Sequence, residues 1–233
     1  MAAHNMKTVI DKYDIFFFDF DGVIVDSVNI KSRAFGELFK DYGEDIIKEI
    51  MRYHLNEGWA LSRYDKFKYY YKNILHKKMT RDVINELDKR FSQLVTKKVV
   101  KAPFIDGVID FLKKLKKKHK KCFIISATPQ KEIRRITKLR QIEKFFEEIV
   151  GSPMGKRGNF KYLMKKYVID AAKTVYFGDT EADYEVAAEN GIDFVGVEYA
   201  GNKAFNKMHN ISKIKDFCIG KLKRKETAKC KRH

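Results

Sequence analysis

Residues 13–27 read YDIFFFDFDGVIVDS, and this stretch decides the fold. The run Ile15–Phe18 is apolar without alternation. A strand with one wet face would alternate, so this one reads as buried on both faces, as in a parallel sheet covered by helices. The run ends in Asp19 and Asp21, separated by Phe20 and followed by Gly22. In extended geometry both carboxylates point to the same side. Two such charges repel, so a cation or a proton has to compensate them.

Further along the chain, KCFIIS (121–126) and KTVYFGD (173–179) repeat the pattern of a short apolar run ending at a polar residue, and DFVGV (193–197) and EIV (148–150) are shorter versions. Helical periodicity fills the gaps. Ile105, Val108, Ile109, Leu112 and Leu115 form one stripe, a second helix is expected after Pro129, and a third from Asn159 to Tyr167. Strands alternating with helices predict an α/β, doubly wound, mostly parallel sheet. Ligands of such sheets bind at the carboxyl ends of the strands. Asp19, Ser126 and Asp179 all fall at predicted strand ends.

Residues 28–100 contain no strand pattern. Three amphipathic stripes run through them: Ile46, Ile47, Ile50, Met51, His54 and Leu55; then Leu61, Tyr64, Phe67, Tyr71, Ile74 and Leu75; then Val83, Ile84, Leu87, Phe91, Leu94 and Val95. The predicted organisation is a core of residues 1–26 and 101–205, an inserted all-helical cap domain of 27–100, and a basic, partly disordered segment of 206–233.

The chain has 233 residues, 44% of them hydrophobic, and a formal net charge of +18. That is long enough for a buried core, and the charge favours anionic partners. Nucleic acid is one such partner, though not the favoured one; salt-dependent binding lost on deleting 221–233 would mark it. Three scattered cysteines argue against a disulfide framework or a zinc site and fit a reducing, cytoplasmic setting. No apolar run approaches the ~20 residues that span a bilayer.

Four pieces carry chemistry, in this order: DFDGVIVDS with Asp19 and Asp21, Ser126 in FIISATP, Lys156 in GSPMGKRG, and GDTEAD with Asp179 and Asp183. Together, over roughly residues 13–200, they resemble the haloacid dehalogenase-like superfamily, in particular its magnesium-dependent phosphatases. The helical insert directly after the first motif resembles that superfamily's C1-type cap. The resemblance implies a phosphoric monoester hydrolase that forms an aspartyl-phosphate. Asp19 would be the nucleophile and Asp21 the general acid and base. Ser126, the backbone N–H of Ala127, and Lys156 would bind the phosphoryl group. Mg²⁺ would be held by Asp19, by Asp21 through its backbone carbonyl, by Asp179, and by Asp183 directly or at one remove.

The metal and Lys156 would keep Asp19 ionised, while Asp21 needs a pKa nearer neutrality, so different neighbours would have to push the two apart. Asp21 also favours phosphate esters over haloacids, since a halide leaving group needs no proton. In the cap, Trp59 and Arg63 are candidate substrate-specificity residues, with Arg63 offering a fork to a second anion. The alternatives for them are a ring closing the bundle core and a surface charge. His54, on an apolar stripe, reads as a packed core residue. The expected partner is a small phosphorylated metabolite, such as a sugar phosphate. A phosphosugar mutase of the same superfamily would use the same residues.

Overall fold

Alternate rings of one strand, packed on opposite faces of a sheet, organise this protein. The structure, a computed structural model, describes residues 6–58, 61–198, 204–205, 208 and 211–218. In chain order the main elements are α1 (Met6–Lys12), β1 (Ile15–Phe18), α2 (Val28–Leu38), α3 (Glu44–Asn56), α4 (Arg63–Tyr69), α5 (Arg81–Lys101), α6 (Val108–Lys117), β2 (Lys121–Pro129), α7 (Gln130–Leu139), β3 (Glu148–Ser152), α8 (Gly155–Tyr167), β4 (Thr174–Gly178), α9 (Glu181–Glu189), β5 (Asp193–Val197) and β6 (Ser212–Ile214).

The six strands form one sheet in the order β3-β2-β1-β4-β5-β6, every pairing parallel. β1 is central. Phe16 and Phe18 join the apolar cluster on one face with Phe111, Leu112 and Ile133, whereas Phe17 joins the other with Phe160, Leu163 and Val186. Phe18 stacks on Phe177 with centroids 5.2 Å apart, and Phe17 on Phe123 at 5.1 Å. Each fully buried ring contributes about 1.5–3 kcal/mol. With α6 and α7 on one face and α8 and α9 on the other, the sheet is doubly wound, as its uninterrupted apolar strands predict.

Residues 28–101, between β1 and β2, contain α2 to α5 and a π-helical turn at Tyr70–Ile74. Their shared interior is aromatic: Phe35 lies 4.5 Å from Phe91 and 6.2 Å from Phe67, ring centre to ring centre. α3 buries Ile50, Tyr53 and His54. Leu55 and Leu61, which the stripes place inside, are 51% and 40% exposed. The helix turns Tyr53 inward instead, where it stacks on Tyr69.

Two elements escape the sequence reading. α1 tucks Met6, Val9 and Ile10 under the sheet. β6 and the fully buried Phe217 lie beyond residue 205, the expected end of the core. Residues 211–218 therefore belong with the sheet rather than with a loose tail. A three-residue strand has too short a pattern to announce itself, and its place is held by distant contacts. Phe217 packs 5.3 Å from Phe111. Gly107, at φ +75°, lets the backbone of Phe217 and Cys218 approach to where a Cβ would sit 2.6–2.7 Å away.

Candidate active site

The strand order reverses around β1: the chain builds outward through β2 and β3, then returns to lay β4 on the other side of β1. The carboxyl ends of β1 and β4 therefore border the crevice where such sheets bind ligands. Asp19 directly follows β1 and Asp179 directly follows β4. Gly22, at φ +79°, turns the chain away after the second carboxylate.

Asp19 is 5% exposed, and its Oδ1 accepts the backbone N–H of Phe20 at 2.6 Å. Its Oδ2 accepts from Lys156 Nζ at 2.8 Å, and the same Nζ donates to Asp183 Oδ1 at 2.6 Å. Lys156 occupies the first turn of α8, which Asn159 ties to β3 by donating to the Gly151 carbonyl. Asp183 closes a capping box at the start of α9: its Oδ2 accepts from Thr180 Oγ1 at 2.6 Å, while Thr180 Oγ1 accepts the Asp183 N–H. Tyr176 OH also donates to Asp183. A Cβ at Gly178 would stand 2.3 Å from the Asp183 Cβ, so only glycine permits this approach.

Ligand oxygens of Asp19, Asp179 and Asp183 lie within 4.8 Å of one another, all buried. Crowding shows in their protonation. Burial pushes the Asp19 carboxyl up to about 6, with Asp183 and Asp21 adding to the rise and Lys156 opposing it. Burial, Asp19 and Asp183 push Asp179 well above the carboxylate range. Burial disfavours the Lys156 charge, but Asp183, Asp19 and Asp179 more than restore it and raise its pKa.

Asp21 has a different set of neighbours. Its Oδ1 accepts from Ser27 Oγ at 2.5 Å, and its Oδ2 accepts from Lys31 Nζ and, at 3.2 Å, from Thr128 Oγ1. Burial works to raise its pKa, yet the Lys31 charge and these three donors hold it below the usual carboxylate value. The expectation that Asp19 stays ionised counted the metal's charge with that of Lys156; in the protein by itself Asp19 is raised and Asp21 is held low. The cause is Lys31 on α2, which the sequence reading passed over. Its position ten residues after Asp21 was the available signal.

Ser126 and Ala127 sit near the end of β2. Ala127 and Thr128 line the cavity above Asp19, together with Asp21, Lys31, Lys156, Asp179 and Thr180. Ser126 is buried, and its Oγ accepts the Thr128 N–H at 3.1 Å. Thr128 Oγ1, also missed in the sequence, accepts from Lys31 Nζ at 2.6 Å.

Arg63 lines the same cavity, but it is neither a surface charge nor an open fork. Its guanidinium makes a bidentate pair with Glu132 of α7, at 2.6 and 3.0 Å, and reaches Asp88 at 3.1 Å and Ser92 at 2.8 Å. Trp59 lies outside the described residues. His54 is packed, as expected, and it is also part of the cavity wall.

This geometry places hydrogen-bond donors and carboxylates around a crevice suited to an anionic group, in a fold of the hydrolase type. The model of the haloacid dehalogenase-like hydrolase family matches residues 16–197, and the chain belongs to that family. Among curated proteins, it is 26% identical over 201 residues to the phosphorylated carbohydrates phosphatase of Thermotoga maritima, covering 79% of this chain and 85% of the relative. Among solved structures, one from Haemophilus somnus titled a "predicted phosphoglycolate phosphatase" superposes with a TM-score of 0.67 at 19% identity, over 88% of this chain and 95% of its own. A haloacid dehalogenase-like family hydrolase of Streptococcus pneumoniae gives 0.62 at 21%, over 87% and 94%. At these identities the structural likenesses establish the fold. Among the described residues, no helix is long and apolar enough to cross a membrane.

Proposed function

We propose that this hydrolase is a Mg²⁺-dependent phosphomonoesterase, which cleaves a small phosphorylated metabolite of the sugar-phosphate kind through an aspartyl-phosphate on Asp19. The observation that carries the reading is the group of three buried carboxylates, Asp19, Asp179 and Asp183, around Lys156. Three carboxylates crowd one ammonium, and the rise of Asp19 and Asp179 shows that their full ionisation awaits a further positive charge. All the donors are hard oxygens, so the set fits a divalent hard cation. Asp19 and Asp179 would hold Mg²⁺, with the Asp21 backbone carbonyl and Asp183 beside them. When bound, Mg²⁺ supplies the charge that neutralises phosphoryl oxygens as the ester is cleaved.

The protein's own groups do the rest. Asp19 attacks phosphorus and the bond to the ester oxygen breaks. Asp21 and Lys31, in direct contact, carry one proton between them toward the departing oxygen; Asp21 then takes a proton from the water that releases phosphate. Ala127 N–H, the Ser126 hydroxyl and Lys156 Nζ orient the phosphoryl group, and α7, opening directly after Pro129, turns its positive end to it. Helices of residues 27–100 act as a cap that excludes bulk water. The name of the Thermotoga maritima relative supports a carbohydrate-derived substrate.

The experiment is phosphate release from a metabolite panel, with and without Mg²⁺, by the wild type and Asp19→Asn. The expected result is Mg²⁺-dependent release that the substitution abolishes; accumulation of an isomer in place of inorganic phosphate would favour a mutase. A folded Asp19→Asn variant with full release would overturn the nucleophile assignment.

A further inference from the structure

On the face of the sheet covered by α8 and α9, a hydroxyl rises out of an apolar cluster toward the carboxylates. Tyr176 lies in the middle of β4, between Phe17 of β1 and Phe194 of β5 in the sheet register, and is fully buried. Its ring packs 5.4 Å from Phe160, and edge-on against Phe17 at 6.5 Å and Phe194 at 6.0 Å, centre to centre. Held on three sides, the ring aims its hydroxyl at Asp183 Oδ1, to which it donates. A buried phenol needs a hydrogen-bond partner. Here the partner is the carboxylate that also holds Lys156.

The Asp183 carboxylate is fully buried and crowded with donors. Its Oδ1 takes the Tyr176 hydroxyl and Lys156 Nζ; its Oδ2 takes Thr180 Oγ1 at 2.6 Å and the Thr180 N–H at 3.2 Å. Two carboxylate oxygens offer about four lone-pair sites, so these donors fill the set. Asp183 also lies within 4.8 Å of the ligand oxygens of Asp19 and Asp179. A free lone pair there would compete for the cation they hold. Lys156 Nζ stands 2.6 Å from Asp183 and 2.8 Å from Asp19, shared between the two. Charge left uncompensated on Asp183 would draw the ammonium toward it and away from Asp19, and the absence of water strengthens that pull.

We infer that Tyr176 is a positioning residue for the nucleophile: its hydroxyl fills one acceptor site of Asp183, which keeps Lys156 shared with Asp19 and keeps Asp183 out of direct coordination of the cation. The inference rests on the phosphatase reading above and adds to it a residue that touches neither substrate nor metal.

The test is Tyr176→Phe, which removes the hydroxyl and keeps the ring. Two quantities are read. One is kcat and KM on the panel metabolite that the wild type hydrolyses fastest; the other is the Mg²⁺ concentration that half-saturates the rise in melting temperature. With Lys156 drawn to Asp183, kcat is expected to fall about tenfold while KM stays within about threefold. With an acceptor site of Asp183 freed, Mg²⁺ is expected to bind about threefold or more tightly. Rate and metal affinity thus move in opposite directions, whereas a site merely loosened would lose both. In the Asp183→Asn background, Tyr176→Phe is expected to change the half-saturating Mg²⁺ concentration by less than about twofold, because the residue acts through that carboxylate. If the phenylalanine variant does not fold, 4-aminophenylalanine at position 176 serves; its weaker donor gives shifts of the same sign and smaller size, and its matching the wild type overturns the inference. For Tyr176→Phe, a kcat within about twofold of wild type overturns it, as does Mg²⁺ binding that is unchanged or weaker, an equal effect in the Asp183→Asn background, or a wild type whose melting Mg²⁺ does not alter. Failure of the phosphatase reading looks different: phosphate release would be absent or would persist in Asp19→Asn, while the Mg²⁺ readings need no turnover.

Discussion

Replacing Lys66 by methionine should change how stability depends on pH, in a direction that its burial dictates. In the folded protein the Lys66 pKa is brought down from its ordinary 10.5 to about 7, by burial first and then by Lys31 and Arg63, against the pull of Asp21. Below about pH 7 the lysine is charged both folded and unfolded, and the folded state bears the full cost of burying it. Between about pH 7 and pH 10.5 the folded protein releases the proton while the unfolded chain keeps it, so wild-type stability from this group rises with pH across that window. At about 1.36 kcal/mol per pH unit, the gap between the two values corresponds to about 5 kcal/mol. Methionine fills a similar volume with no charge to bury. It forfeits the contact with the Phe35 face, about 0.5–2 kcal/mol, and the hydrogen bond to His54, about 1–3 kcal/mol. The Phe35 contact acts on the charged amine and so trims the variant's advantage mainly below about pH 7, without reversing the direction of the slope. Urea unfolding of both proteins at pH 6, 7, 8 and 9 reads the difference directly. The variant's advantage is expected to be greatest at pH 6 and to shrink by about 2 kcal/mol between pH 7 and pH 9. A difference that is flat over this range, or that grows with pH, would refute the burial argument.

Adding Mg²⁺ should raise the melting temperature of the wild type, reversibly with chelator, and the rise should be lost in Asp179→Asn; an unchanged wild-type melting curve at millimolar Mg²⁺ would contradict the metal reading. Glu132→Gln removes the charge beneath the buried Arg63 and should cost about 3–5 kcal/mol in denaturant unfolding. A cost under about 1 kcal/mol would mean that Asp88 and Ser92 alone satisfy the guanidinium. Gly178→Ala places a Cβ 2.3 Å from the Asp183 Cβ, so phosphate release should fall sharply although the glycine offers no side chain to a substrate. Retained activity in a folded variant would show that α9 can move aside. Thr180→Ala removes the hydroxyl of the α9 capping box and should cost about 1 kcal/mol, measured as a lowered urea midpoint.

What a chain tells about itself before folding depends on how local the responsible forces are. Here the doubly wound sheet was legible because its strands are nearly pure apolar runs, and runs such as IFFF and TVYFG have no wet face to offer. The four chemical pieces were legible because each occupies a strand end or a helix start, positions that short-range pattern marks well. β6 was not, since three residues make no period and distant rings hold them in place. Lys31 and Thr128 were not either, and no motif singles out Lys66 among the lysines of residues 27–100. Each is an ordinary residue type in a chain rich in lysine, and only its neighbours in space make it informative.

The sequence by itself determined that Asp19, Ser126 and Asp179 close apolar runs, and parallel pairing of such runs sets their carboxyl ends on the same side of the sheet. Only the tertiary structure decided which cations stand beside those carboxylates, that Arg63 is matched by Glu132, and that the buried Lys66 lines the same cavity as Asp19. Electrostatic interaction depends on distance and on the water removed between charges, and both are properties of packing between segments far apart in the chain.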